Sequence, residues 1–270
     1  MPQGGRTIGV FDSGVGGLSV LHHIRAALPD AHLIYVADSA HVPYGDKPPA
    51  YIETRSHTLT RFLLEQGAEA IVIACNTATA AAAASLRDTY SLPIIAMEPA
   101  VKPAVAASKS GVVGVLATVG TLESARFAAL LEKYAGMVEI VTQGCPGLVE
   151  AIERGDLNSP ETLQLVERYA RPLLDRGADT LILGCTHYPF LAPLIRQIAG
   201  AQISLIDTGA AVARQLQRRI EAELPPPTGN GNPQSRETFY TSGDAAQASY
   251  IISTLWNKQV TARQLPKPFL

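Results

Sequence analysis

RFLLEQGAEAIVIACNT at residues 61–77 and RPLLDRGADTLILGCTH at residues 171–187 are two copies of one pattern. At an offset of 110, Arg61 falls on Arg171, Leu63 on Leu173, Gly67 on Gly177, Ala68 on Ala178 and Cys75 on Cys185. Each copy reads as the end of an amphipathic helix, a glycine turn, an apolar strand, and a cysteine followed by polar residues. Apolar strands without polar alternation, separated by helices, indicate a mainly parallel sheet covered on both faces. A weaker match at an offset of 105 lays IGVFDSG (8–14) over VGVLATV (113–119), with Ser13 on Thr118. The repeat predicts two similar α/β halves.

Working outward, strands are predicted at 7–12, 32–38, 70–75, 93–97, 111–117, 138–143, 180–185 and 203–207. Helical periodicity covers 18–28, 51–66, 123–134 and 160–176. The first half spans 1–100 and the second 101–207. A proline-rich, polar run (224–237) then breaks a helix ending near Glu223, and its core at 225–236 has no reading. The strand-like TFYTSG (238–243) is expected to return onto one half, which assigns 208–270 to the first domain.

Composition narrows the partners. The 270 residues carry 22 Lys+Arg against 24 Asp+Glu, which leaves no basic surplus for a phosphate backbone and argues against nucleic acid. No apolar run reaches the roughly 18–20 residues that span a bilayer, so no membrane insertion is expected. The first residues lack the regions of a signal peptide, and a cytoplasmic protein is expected. Three widely spaced cysteines, Cys75, Cys145 and Cys185, suit reduced thiols better than a disulfide framework.

Cys75 and Cys185 each end an apolar strand before a helical segment, the side of an open α/β sheet where ligands bind. The helix N-terminus is expected to lower the thiol pKa from about 8.5. Cys145, in QGCPGL, has no counterpart in the other half, and packing and site-lining both remain open for it. Asp12-Ser13-Gly14-Val15-Gly16-Gly17 follows the first strand like a phosphate-binding turn. However, Ser19 stands where a third glycine belongs, and the Asp12 carboxylate sits where a pyrophosphate would lie. An acid beside a hydroxyl suits a ligand ammonium better. Asp38 ends the second strand and opens a polar loop through Tyr44 and Gly45. His187, two positions after Cys185, could donate to the thiol or to a substrate. Glu153 reads by itself as the polar face of a helix end. Cys185 and His187 lack the second pair that a structural zinc site requires, so no metal is expected. With neither a P-loop nor a complete dinucleotide fingerprint, no cofactor is expected either. Two thiols facing each other across a cleft between similar halves could act as opposed bases that invert a stereocentre.

FDSGVGG (11–17), VPYGDKP (42–48), ACNTATA (74–80) and GCTHYPFL (184–191) together resemble the signature segments of the glutamate racemases, cofactor-independent members of the aspartate/glutamate racemase superfamily. SGD at 242–244 fits as well. The resemblance implies two α/β domains related by pseudo-twofold symmetry with the site between them, and D-glutamate production for peptidoglycan. It implies Cys75 and Cys185 as the base pair, Cys75 serving the D face and Cys185 the L face. Asp12, Asp38, Glu153 and His187 become auxiliary acids or positioning groups. Substrate contacts fall to Asp12, Ser13, Tyr44, Gly45, Asn76, Thr77, Thr118, Thr121, Thr186 and His187. Glutamate is the implied partner, and a homodimer is compatible with the resemblance. Some family members also inhibit DNA gyrase, on which these residues are silent. A superfamily racemase acting on aspartate or a related acid, and a non-enzymatic amino-acid-binding protein, are the competing readings.

Overall fold

A computed structural model describes residues 5–226 and 236–270. Of the polar run at 225–236, residues 227–235 lie outside the described part. The first four strands are β1 (Thr7–Asp12), β2 (His32–Ala37), β3 (Ala70–Ile73) and β4 (Ile94–Ala96). Between and after them run α1 (Leu18–Ala27), α2 (Pro49–Glu65), α3 (Asn76–Thr89) and α4 (Val101–Ala107). The second set comprises β5 (Val112–Ala117), β6 (Glu139–Gly144), β7 (Thr180–Leu183) and β8 (Ser204–Ile206). Its helices are α5 (Val119–Leu122), α6 (Ala125–Glu132), α7 (Leu148–Glu153), α8 (Pro160–Asp175) and α9 (Ala192–Ala199). α10 (Gly209–Glu223), β9 (Arg236–Thr241), α11 (Ala245–Trp256) and β10 (Ala262–Gln264) complete the chain.

All pairings are parallel. One sheet runs β10-β9-β2-β1-β3-β4 and the other β6-β5-β7-β8. Strands β2-β1-β3-β4 and β6-β5-β7-β8 therefore follow the same order, and the sequence repeat is a repeat of topology. It extends to packing. A Cβ on Gly9 of β1 would lie 2.9 Å from Ile71 Cδ1 and 3.0 Å from Leu63 Cβ. One on Gly114 of β5 would lie 2.6 Å from Leu181 Cδ2 and 2.9 Å from Leu173 Cδ1, the equivalent residues of the other copy. In both halves, the missing side chain lets a helix seat directly on the central strand.

The helices leading into the two copies stop in the same way. Gly67 (φ 84°) and Gly177 (φ 87°) adopt the left-handed conformation that costs other residues energy. Ala68 N–H donates to Leu63 O at 3.0 Å, and Ala178 N–H to Leu173 O at 3.1 Å. That pair of Schellman closures turns each chain into β3 or β7, whose residues are fully buried. The helix expected over 123–134 is present as α6, trimmed to Ala125–Glu132: Ser124 Oγ accepts Phe127 N–H at 3.2 Å and caps its start, which separates it from the short α5.

β9 joins the first sheet beside β2, with Tyr35 opposite Phe239. α10 packs on α1. The carboxyl ends of β1, β3, β5 and β7 meet at a cleft between the two halves, and Asp12, Ser13, Asn76, Thr77, Thr121, Thr186 and His187 are buried there or just behind it.

Candidate active site

Cys75 follows the end of β3 and is itself the N-cap of α3 (φ −148°, ψ 123°). Its Sγ accepts Ala78 N–H at 3.4 Å and lies 3.9 Å from Ser13 Oγ. Burial pushes this thiol well above its ordinary range, the Asp12 carboxylate adds to the shift, and the Ala78 N–H opposes it. The lowered pKa expected from the helix terminus is thus overturned at Cys75. One long N–H···S contact does not offset removal of the sulfur from water beside a carboxylate.

Cys185 differs. β7 ends at Leu183, the chain then makes a 3-10 turn at Tyr188–Leu191, and α9 starts only at Ala192. The expected helix start at Thr186-His187 is therefore absent, and with it a helix dipole at this sulfur. His187 takes its place: Nδ1 lies 3.6 Å from Cys185 Sγ and Nε2 lies 2.7 Å from Glu153 Oε1. Burial alone would lower the imidazole pKa, but the bonds to Cys185 and Glu153 outweigh it and hold His187 well above its ordinary value. An imidazolium donates from both nitrogens, which matches an acceptor on each side. Glu153, at the end of α7, also accepts Val15 N–H at 2.6 Å.

The cleft between the halves is lined by both thiols, by Ser13, Tyr44, Gly45, Asn76 and Thr77 from one half, and by Thr118, Thr121, Thr186 and His187 from the other. Thr77 Oγ1 bridges it, 3.0 Å from Thr118 Oγ1 and 3.2 Å from Thr121 Oγ1. Both polar atoms of the buried Asn76 amide have no partner among the described residues, an arrangement that costs about 1–3 kcal/mol unless a ligand or water supplies one. Water centres can occupy only about 10 Å³ of the cleft, room for roughly one molecule, so it is closed in this structure. A larger groove of about 460 Å³ near Leu28 and Ile220 lies away from both thiols.

Asp12, Asp38 and Glu153 do not line the cleft. Asp12 is fully buried. Its Oδ2 accepts Gly17 N–H at 2.7 Å and the Thr186 hydroxyl at 3.4 Å. Burial, opposed by His187, raises its pKa to about 6. In this closed cleft its carboxylate is bound to the turn it belongs to and to Thr186 of the other half. Asp38 is held by Arg55 and Tyr44. Cys145 sits in the core off the cleft, its Sγ 3.3 Å from Gln143 O, and burial pushes it up to about 12.

The sequence reading missed two participants. Ser19, noted only as a missing glycine, donates to Thr186 O at 2.8 Å and ties α1 to the other half. Arg55 went unremarked, although a charged residue on the stripe of Ile52, Leu59, Phe62 and Leu63 was a signal. Glycines set the closeness of the halves: a Cβ on Gly14 would lie 1.8 Å from Glu153 Oε1, and one on Gly16 would lie 2.2 Å from His187 Nδ1. Among the described residues, no group of three or more His, Cys, Asp or Glu is gathered to hold a metal ion.

Residues 8–216 match the family model described as Asp/Glu/hydantoin racemase. The chain belongs to this racemase family. It is 56% identical over 264 residues to glutamate racemase from Methylococcus capsulatus, covering 97% of this chain and 96% of that protein. It is also 56% identical over 259 residues to the Pseudomonas aeruginosa enzyme, covering 96% and 97%. Among solved structures of the family, Escherichia coli glutamate racemase in complex with L-glutamate and the activator UDP-MurNAc-Ala superposes with a TM-score of 0.86 at 32% identity, covering 97% of this chain and 98% of that one. The Francisella tularensis racemase bound to D-glutamate gives 0.82 at 28%, again covering 97% and 98%.

Proposed function

We propose that the chain is a glutamate racemase that interconverts L- and D-glutamate without a cofactor, supplying D-glutamate for peptidoglycan in the cytoplasm. The observation that carries this reading is the pair of thiols placed by equivalent strands at one cleft, beside an Asn76 amide with no partner among the described residues. The named activity of relatives at 56% identity supports glutamate as substrate. Among the described residues, no helix is long and apolar enough to cross a membrane.

One sulfur takes the Cα proton as the C–H bond breaks, and the other thiol delivers its own proton to the opposite face. The enzyme is left with the two protonation states exchanged. Cys185 handles L-glutamate and Cys75 D-glutamate. His187 supplies a cationic donor at the sulfur that must carry negative charge when Cys185 acts as base, and Glu153 orients that imidazole. Cys75, a neutral thiol in the closed cleft, is then the proton donor. Ser13, Asn76, Thr77, Thr118, Thr121 and Thr186 hold the ammonium and two carboxylates, with Tyr44 and Gly45 forming one wall. Asp12 and Asp38 act on the site through the residues they bind. We assign 1–100 with 208–270 to one domain and 101–207 to the other.

Incubation of purified protein with L-glutamate in heavy water, without cofactor, tests the reading. Optical rotation should decay to zero as deuterium enters Cα. Unchanged rotation with either enantiomer refutes it, and equal turnover efficiency on D-aspartate would move the assignment to another substrate of the family.

A further inference from the structure

Beneath the Tyr44 wall of the cleft lies a buried charge pair that no proton transfer uses. Asp38 has no solvent exposure, and Arg55 is 7% exposed. The guanidinium grips the carboxylate with two prongs, Nη2 to Oδ1 at 2.7 Å and Nε to Oδ2 at 3.0 Å. Tyr44 donates its hydroxyl to Oδ2 at 2.5 Å. His41 Nε2 stands 4.0 Å from Oδ1. Both carboxylate oxygens thus already have donors within the protein. To act as an acid or base toward Cα, it would have to release these donors and turn through its own neighbours.

The pair is anchored from behind. Arg55 Nη2 also donates to Phe269 O at 3.0 Å, in the 3-10 turn Lys267–Phe269. The Phe269 ring packs edge-on against Phe62, with centroids 5.2 Å apart, and Arg61 lies over its face. In front, Tyr44 is buried and lines the cleft, and the next residue touches the other half. A Cβ on Gly45 would lie 3.0 Å from Thr118 Cβ, and one on Gly120 would lie 2.7 Å from Gly45 O. The position of Tyr44 therefore fixes where the two halves meet beside the Thr77–Thr118 bridge.

We propose that Arg55 is a positioning residue for racemisation: through Asp38 it holds Tyr44, and with it the Tyr44–Gly45 wall against which substrate is captured. The inference rests on the glutamate racemase reading. It gives Asp38 a part in binding geometry and none in proton transfer. An arginine is needed because its planar fork meets both carboxylate oxygens and still reaches the Phe269 carbonyl, whereas a lysine's three N–H donors radiate from one nitrogen and do not match that bidentate geometry.

Steady-state kinetics in both directions on Arg55→Lys, Arg55→Met, Asp38→Asn and the double variant Asp38→Asn/Arg55→Met provide the test. Arg55→Lys should raise KM for both enantiomers about tenfold with kcat within about threefold, the signature of lost uniform binding. Arg55→Met should raise KM further. The double variant, which strands no buried charge, should recover part of that loss, and the pH profile of kcat should keep its shape throughout. If Arg55→Met fails to fold, Arg55→Lys and the double variant carry the same comparison.

A fall in kcat of more than about a hundredfold in Asp38→Asn at unchanged KM, with a lost limb of the pH profile, would make Asp38 a proton-transfer group and overturn the proposal. Unchanged KM in folded Arg55 variants would overturn it too. A crystal structure of Arg55→Lys reads the relay without substrate: a displaced Tyr44–Gly45 loop supports it, and an unmoved one refutes it. A wild-type chain inactive on glutamate would instead refute the function reading, leaving that crystal structure to decide the relay.

Discussion

At the end of β3 a helix of 14 residues begins on the cysteine itself; at the end of β7 the chain makes a 3-10 turn and offers an imidazole instead. Cys75 has one N–H, one hydroxyl and a buried carboxylate nearby. Cys185 has a histidine backed by Glu153. The two halves share strand order, strand-seated glycines and helix stops, so the surroundings of the sulfurs differ through the segment after each cysteine and through one acid from elsewhere, Asp12 after β1 for Cys75 and Glu153 of α7 for Cys185. A duplicated backbone can place two like groups on opposite faces of a substrate while their surroundings diverge. Matched chemistry across the cleft therefore has to arise from unlike parts.

The comparison is most sharply broken at the sulfurs. Cys75→Ala and Cys185→Ala should each lower turnover by about a thousandfold or more with circular dichroism unchanged, whereas Cys145→Ala should lose less than about threefold. Full activity in either of the first two ends the two-base reading.

His187→Gln should cost about a hundredfold. Because enantiomers are equal in energy, kcat/KM must fall equally in the two directions, so rates alone will not reveal the asymmetry. Deuterium wash-in does. In a Cys75→Ala background L-glutamate should exchange through Cys185, and adding His187→Gln should abolish that exchange. In a Cys185→Ala background exchange into D-glutamate should survive the same change. Equal loss in both backgrounds would show that His187 serves both thiols.

Asp12 and Asp179 differ in sign. The Asp12 pKa is raised to about 6, so between pH 4 and 6 the folded state holds a proton that the unfolded state has lost. Its contribution to stability is favourable at low pH and declines as pH rises through that window, by roughly 3 kcal/mol at most. Urea unfolding of Asp12→Asn across the window should lack this decline.

Asp179 is lowered to about 2: slight burial opposes the shift, and bonds from Ser110 N–H, the Ser108 hydroxyl and Lys109 N–H outweigh it. Its contribution is present above about pH 4 and disappears as pH falls through 2. Asp179→Ala should destabilise by about 1–2 kcal/mol at neutral pH. Among the described residues, its repeat counterpart Glu69 accepts Thr7 N–H and pairs with Arg6 while itself open to solvent, so Glu69→Ala should cost at most about 1 kcal/mol. Thermal melts of both variants measure the gap.

The repeat at 61–77 and 171–187 made the parallel sheets and the cleft legible because topology follows apolar periodicity, which a sequence displays openly. Strand ends ran one or two residues long at Asp38, Cys75 and Cys185, where the chain has already turned toward the site. Charge states were not legible. The Cys75 thiol depends on how completely Ala78, Ser13 and Asp12 enclose it, a property of three segments far apart in the chain. β10 escaped for a different reason: unlike the equally short β4 and β8, which lie in apolar runs, it is the polar ARQ, largely open to solvent, and it pairs along the edge that β9 offers. The Arg55 role needed the partner at Phe269, 214 positions away.

The glycines at the seam bear on how such a chain can change over generations. Outer strands such as β6 and β8, partly open to solvent, can accept substitutions one at a time in either copy. Gly14, Gly16 and Gly120 cannot, since even one added carbon would collide with Glu153, His187 or the Gly45 carbonyl of the opposite half. A change there would be tolerated only if a second change occurred across the cleft in the same lineage. Two copies free to drift apart along their outer edges are thereby bound to a common history along the line where they touch.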